Sequence, residues 1–209
     1  VYLGFSETRI KPQYNPLDSD ILLSDAIEEA GSEAARDSIK AIASDYIQRK
    51  TLTVSNAGLT KRGEKSHPWD VSNISVNYAY NEVTSSNTKT EIDVERNHKA
   101  GLNYNYNGNP ANITPFKNVK FLNAPVFRII KDFNFYVFPK SITIRNDLSR
   151  YYNEIKTRNI NNPNLKIIPT FKKDFEWRRI FDVKYDLTRQ LKVDFTATNI
   201  ARIDEPEGG

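Results

Sequence analysis

From Phe175 to Leu187 the chain alternates with a period of two: Phe175, Trp177, Arg179, Phe181, Val183, Tyr185 and Leu187 against Glu176, Arg178, Ile180, Asp182, Lys184 and Asp186. That period belongs to an extended strand with one face in water and the other in an apolar medium. After a tight turn, Leu187-Thr188-Arg189-Gln190, the pattern resumes with Leu191, Val193, Phe195 and Ala197 against Lys192, Asp194, Thr196 and Thr198. The two segments read as a hairpin whose apolar rows share a face. The alternation recurs four more times upstream, on strands long enough to cross a bilayer, which takes about 9 to 11 tilted residues. The expected fold is therefore all-β: an antiparallel curved sheet forming part of the wall of a large transmembrane β-barrel.

Composition neither supports nor opposes this. Of 209 residues 38% are apolar, as in ordinary water-soluble proteins. Barrel walls hide their membrane signal because polar lumen residues dilute every strand by half. Cysteine and methionine are both absent, so no disulfide framework or thiolate metal site exists. Val1 opens directly into a strand pattern with no signal-like segment ahead of it, and the chain reads as an internal piece of something longer. The net charge of +4 comes from 30 basic and 26 acidic residues mixed along the strands. Clusters such as Lys61-Arg62 and Lys172-Lys173 read as solvated rim charge, and no nucleic-acid partner is expected.

Strands are expected near 1–10, 70–81, 95–107, 140–155, 172–187 and 190–200, with insertions at 24–69 and 108–139. In the first insertion Ser24 is placed to cap an opening turn and Gly31-Ser32 to interrupt and recap. Ala35, Ile39, Ile42 and Tyr46 then fall at helical spacing, so a helical insertion is expected near 24–50, with a short β-like piece from Thr51 to Val54 and a polar loop holding Gly58, Gly63 and Pro68. In the second, a short helix is expected near Phe127 to Lys131. Asn159 to Pro163 is a polar connection. Barrels of this kind have short periplasmic turns, so the turn at 187–190 is expected in the periplasm. Counting back, 157–171 and 82–94 fall outside, and 108–139 and 24–50 on the periplasmic side.

Several stretches resemble one family in matching order along nearly the whole chain. They are Pro12-Gln13-Tyr14-Asn15-Pro16-Leu17-Asp18, Ala35-Arg36-Asp37-Ser38, Tyr78-Ala79-Tyr80-Asn81-Glu82, Gly101-Leu102-Asn103-Tyr104-Asn105-Tyr106, Ile130-Lys131-Asp132-Phe133-Asn134-Phe135, Tyr152-Asn153-Glu154 and Phe195-Thr196-Ala197-Thr198-Asn199. They resemble the SprA/Sov family, the giant outer-membrane translocon barrels of the type IX secretion system, also linked to gliding motility. The resemblance implies a pore passing folded cargo proteins from periplasm to cell surface. It also implies a periplasmic plug protein and a partner β-barrel that alternate at a lateral opening.

The face assignment follows from the alternation. Ile74, Val76, Tyr78, Tyr80, Leu102, Tyr104, Ile142, Ile144, Trp177, Phe181, Val183, Val193 and Phe195 are expected toward lipid. Asn77, Asn103, Asn105, Arg145, Asp147, Asp182, Lys184 and Asp194 are expected toward an aqueous lumen. The aromatic rows at Tyr78, Tyr80, Tyr104, Tyr106 and Trp177 could instead form a stacking platform, but strand aromatics are ordinary sheet formers and gather at membrane interfaces in barrels.

No catalytic, cofactor or metal site is expected. His67 and His98 lack ligand-spaced partners, and Asp18, Asp20 and Asp25 lack the spacing and glycine of a calcium loop. The three aspartates are expected to solvate the passage into the helix and favour its N-terminus. Nothing matches a nucleophile motif or phosphate loop. The competing reading is a soluble antiparallel β-sheet binding module, a sandwich in which the same apolar rows are buried against a second sheet. Exposure of Ile74, Val76, Phe181 and Val183 separates the two.

Overall fold

The computed structural model describes residues 1–60, 67–119, 121, 124–160, 162 and 165–206. Lys61-Arg62, Gly63 and Pro163 lie outside the described residues.

In chain order the elements are β1 (Tyr2–Ile10), β2 (Tyr14–Asn15), β3 (Asp18–Leu22), α1 (Leu23–Glu28), α2 (Glu33–Ala43), β4 (Asp45–Gly58), β5 (Ile74–Ser86), β6 (Thr90–Asn107), β7 (Asn112–Ile113), α3 (Arg128–Lys131), β8 (Phe135–Tyr136), β9 (Ser141–Thr157), β10 (Thr170–Asp186) and β11 (Lys192–Ile203). Seven of these strands form one sheet in the order β1-β4-β5-β6-β9-β10-β11, and every neighbouring pair is antiparallel. Among the described residues β1 and β11 each pair on one side only. The fold is mostly β with one large antiparallel sheet.

The alternation predicts six long strands, and the structure has seven. The additional one, β4, takes residues 45–50 from the expected helix and joins them to the expected short piece at 51–54. The helix stops because Ser44 turns extended (φ −88°, ψ 135°), with its hydroxyl donating to the Lys40 carbonyl at 2.7 Å. Tyr46 lies four residues after Ile42 and so fits a helical stripe, but it equally begins the strand row Tyr46, Gln48, Lys50, Leu52, Val54. That row was hidden because Gln48 and Lys50 are polar. They sit opposite Glu7 and Phe5 on one side and Thr84 and Glu82 on the other, where the row crosses a polar part of the sheet. A bulge separates Val54 from Ala57, with Asn56 at φ 50° and its amide donating to the Asn77 side chain at 2.6 Å. Asparagine tolerates this left-handed conformation better than most residues.

The seventh strand reverses the expected placement of the helical insertion. The connections at 187–191, 108–140 and 59–73 share one end of the sheet, called here the hairpin end. Those at 11–44, 87–89 and 158–169 share the other, the helical end. Residues 24–44 thus lie opposite the 187–191 turn and not beside it. Each end also carries one short connection, so turn length no longer selects the periplasmic end.

The expected loop at 82–94 shrinks to 87–89. Asn87 accepts the Lys89 and Thr90 amides on its side chain, at 2.9 and 2.8 Å, and its own amide donates to the Thr90 carbonyl, closing the turn early. The neighbouring strands therefore run to Ser86 and from Thr90, with Val71–Asn73 forming a 3-10 turn where the strand at 70–81 was expected to start. The remaining strands differ from expectation by at most three residues at an end. Ser32 caps α2 by accepting from the Ala35 amide, whereas Ser24 caps nothing: α1 starts after Leu22, and the Ser24 hydroxyl donates to Asp25. The short helix expected near Phe127 is present as a 3-10 turn at Pro125–Phe127 running into α3.

The two large insertions close over the two ends of the sheet. At the hairpin end the Tyr185 hydroxyl donates to the Tyr136 carbonyl at 2.8 Å and the Arg189 amide to the Asn134 side chain at 2.8 Å. Trp69 meets Phe138 edge-on there, at 5.9 Å between ring centroids. Among the described residues the faces of the sheet have no comparable cover. The chain exposes 15258 Å², against about 9,900 Å² expected of a compact 24.0 kDa monomer. Its buried apolar residues, among those described, are Leu23, Ala43, Tyr106 and Tyr152.

Candidate functional surfaces of the sheet

In an antiparallel pair, residues directly opposite each other project from the same side, so register fixes which residues share a face. Val183 pairs with Ile142 and Phe195, and Phe181 with Ile144. Tyr104 pairs with Ile144 and Ile74, Leu102 with Val76, and Tyr80 with His98. Tyr78 and Trp177 lie two residues along from Tyr80 and Arg179 on these rows, and Val193 pairs with Tyr185. All thirteen residues expected toward lipid therefore occupy one side of the sheet.

The opposite side holds all eight residues expected toward a lumen. Asn103 faces Arg145, Asn105 faces Thr143, and Asn77 and Asp147 both face Gly101. Lys184 faces Asp194, and Asp182 faces Thr143 and Thr196. A shallow trough crosses five strands here, over Thr53, Asn77, Lys99, Asp147 and Arg178. Its floor is Gly101, where a Cβ would come within 3.4 Å of the Asp147 carboxylate.

Among the described residues the apolar side carries no second layer. Ile74 is 38% exposed, Val76 43%, Leu102 49% and Phe195 56%. Phe181, Val183, Ile142 and Ile144 are half-buried by their strand neighbours, and none of them is buried. A sandwich would bury all of these against a facing sheet. Among the described residues no such sheet exists.

The apolar band has a definite end. Towards the helical end the rung Lys50, Glu82, Arg96, Tyr152 and Lys173 crosses five strands. Glu82 is buried and accepts three bonds: from Lys50 Nζ at 2.9 Å, Arg96 Nε at 2.8 Å and the Tyr80 hydroxyl at 2.7 Å. The Arg96 guanidinium also lies over the Tyr152 ring, 5.7 Å from its centroid. One rung closer to the band, Arg150 grips Glu205 with both Nε and Nη2, the latter at 2.8 Å. That pairing with the guanidinium holds the Glu205 carboxyl below its ordinary range.

A second polar rung, Asn146–Arg179–Asn199, interrupts the band near β11. Arg179 lies 4.1 Å from the centroid of Trp177, and its Nη2 donates to Asn199 at 3.0 Å. The alternation includes Arg179 in the apolar row by position, and its chemistry is masked there by stacking on the aromatic neighbour.

The histidines are placed by aromatic neighbours. His98 stacks on Tyr80 at 4.7 Å and shares a hydrogen bond between Nδ1 and the Tyr78 hydroxyl at 3.0 Å. His67 lies 5.0 Å from Trp69 in the connection that enters β5. The Tyr104 hydroxyl donates to the Pro68 carbonyl. Among the described residues no cluster of three His, Asp or Glu is arranged to hold a metal ion. Sequence reasoning missed the ionic rung around Glu82. Its signal was present in the row Tyr78, Tyr80, Glu82, where an acid takes an apolar slot, and in the matching row His98, Arg96.

No helix among the described residues is long and apolar enough to cross a membrane, which says nothing of crossing by strands. No protein-family model matches the chain, and no curated protein matches it.

Proposed function

We propose that this chain is a wall segment of an outer-membrane protein-export channel of the type IX secretion kind. Its apolar face meets membrane lipid, and its polar face lines an aqueous lumen that secreted cargo traverses. The observation that supports the reading best is an uncovered apolar band on one side of a seven-stranded antiparallel sheet, with charged and amide side chains on the other. Along β10 the band runs from Phe175 to Val183, nine residues interrupted at Arg179, whose guanidinium lies over Trp177, which is about 30 Å of strand. At the tilt usual in such barrels that gives a height of about 23 Å, close to the apolar band of about 25 Å that they present to lipid. Aromatic side chains gather at both ends of it, Tyr104, Tyr106, Tyr136 and Tyr185 at one and Tyr80, Tyr152 and Phe171 at the other, as interfacial girdles do.

The resemblance to the SprA/Sov family adds what the sheet alone does not carry: folded cargo, a plug protein and a partner β-barrel as partners, and a link to gliding motility. The soluble binding module is the weaker reading because it requires a facing layer for Ile74, Val76, Phe181 and Val183. The test uses the full-length protein, with single cysteines placed at positions 183 and 184 of a region that has none of its own. In isolated outer membranes, Val183→Cys should resist a membrane-impermeant maleimide and react with it only after denaturation, because a thiolate does not form in hydrocarbon. Lys184→Cys should react without denaturation. Equal labelling by the water-soluble reagent would overturn the wall, and cargo still reaching the cell surface after deletion of the gene would overturn the export role.

A further inference from the structure

At the helical end, beyond the ionic rung, a cavity of about 470 Å³ opens between α2 and the ends of four sheet strands. Four cations line it: Arg9 at the end of β1, Lys11 just after it, Lys40 on α2 and Arg158 just after β9. Its floor belongs to the same side of the sheet as the apolar band, because Arg9 pairs with Tyr46 and Tyr46 with Ser86. We propose that this cavity binds the phosphate of an anionic membrane lipid whose acyl chains lie along the band. The proposal rests on the lipid-facing reading of that side.

Charge and geometry both favour it. Arg9 lies over the Tyr46 ring, 5.2 Å from its centroid, which holds the guanidinium on the outer side of the sheet. Arg158 is fixed by one bond, Nε to the Asn87 carbonyl at 3.2 Å, and its two terminal nitrogens have no partner among the described residues. Lys11 has none either. The acids of the cavity are already engaged, Glu91 by Lys156 Nζ at 2.7 Å and Asp37 by Lys40 at 3.5 Å. Glu7 stands 3.9 Å from Arg9. Five cations, with Lys156, against three acids leave a surplus of two positive charges, and a guanidinium with a free fork suits the oxygens of a phosphate.

Position selects a lipid over free phosphate. On β1 the apolar row ends at Phe5, and Arg9 follows four residues later, about 13 Å along the strand and about 10 Å in height at a barrel tilt. The headgroup layer extends about 5 to 7 Å beyond the hydrocarbon on each side, so a long cationic side chain turned back toward the band reaches phosphate depth. A neighbouring cavity, sharing Glu91 and Arg158, is lined by Leu17, Ile42, Ile160 and Leu165 and keeps the outer wall of the site apolar.

The full-length protein is reconstituted in nanodiscs of phosphatidylcholine containing a minor fraction of spin-labelled phosphatidylglycerol, and enrichment of the label next to the protein is measured. The wild type should enrich it, and Arg9→Gln with Arg158→Gln should lower its relative affinity by about tenfold or more. Lys11→Gln, on an exposed side chain without a partner, should lower it by a smaller factor and keeps the test decisive if the double variant does not fold. Unchanged enrichment in these variants overturns the site. Loss of enrichment in millimolar inorganic phosphate, with direct binding of that ion, overturns the lipid as occupant. Failure of the wild-type protein to enter nanodiscs at all overturns the membrane reading instead, and is recognised before any lipid preference is scored.

Discussion

The two sides of β10 are built on one backbone and differ in almost every chemical respect. Trp177, Phe181, Val183 and Tyr185 point one way, Arg178, Asp182, Lys184 and Asp186 the other. In a water-soluble sandwich the first row would be the core and the second the surface, and the first would be buried. Among the described residues neither row has a second sheet over it, and the apolar one is half-buried along its length. An apolar face of this size left bare in water is a large liability, whereas in a bilayer it is the stable arrangement. On the proposed reading the contrast between the rows is a contrast between two solvents, and it can be attacked one residue at a time.

The largest effect is expected at Val183. On the proposed reading, Val183→Arg in the full-length protein replaces an apolar contact with Ile142 and Phe195 by a charge on the lipid side, at a cost below the midplane value of about 2 to 4 kcal/mol because Val183 ends the band, and folded protein recovered from the outer membrane should fall. Wild-type recovery would break the comparison. Next is the boundary between apolar band and rim. Glu82→Ala removes the acceptor shared by Lys50, Arg96 and the Tyr80 hydroxyl and leaves three donors to find water, at about 1 to 3 kcal/mol. Thermal or denaturant unfolding should show that loss, with Glu82→Gln recovering part of it.

Much of this contrast was legible in the sequence because a period of two survives wherever one side is consistently apolar. The rows on β5, β6, β9, β10 and β11 could be assigned to faces without coordinates for that reason. It failed on β4, where Gln48 and Lys50 occupy the row that elsewhere is apolar, and where Tyr46 completes a helical stripe by coincidence of spacing. Missing one strand then moved the helical insertion to the wrong end of the sheet, since each crossing reverses direction. The ionic rung was illegible for a related reason: Lys50, Glu82, Arg96 and Lys173 come from four strands, and only register brings them together.

A smaller effect is expected at Glu205, beyond the last strand. Arg150 lowers its carboxyl below the usual glutamate range, so the folded state binds fewer protons there than the unfolded chain. The contact contributes fully above the ordinary glutamate value and is lost as pH falls through the depressed one. Arg150 is 43% exposed in its side chain, so screening keeps the contribution below about 1 kcal/mol. Hydrogen exchange at the Asp204 and Glu205 amides should accelerate on acidification, beyond the intrinsic pH dependence of exchange, and Glu205→Gln should remove that acceleration.

The smallest effect is expected beside the largest, at Lys184. Its side chain leaves the opposite side of the same strand, is exposed, and faces Asp194 and Ser141 across the ladder. Its carbonyl accepts the Lys140 amide at 2.9 Å, a bond that belongs to the backbone and survives any substitution of the side chain. Lys184→Ala therefore deletes one solvated charge among many, and its effect on assembly should stay within about 0.5 kcal/mol. Recovery from the outer membrane should match the wild type, while cargo export changes little or for particular cargoes only. Neighbouring residues that share a strand, a depth and a turn would then differ several-fold in their tolerance of substitution. A sandwich core would give the same difference in stability, so it is recovery in the outer-membrane fraction that ties the difference to lipid on one side and water on the other. Equal sensitivity at the two positions would mean that the two sides do not face different solvents, and the lumen would have to be placed elsewhere.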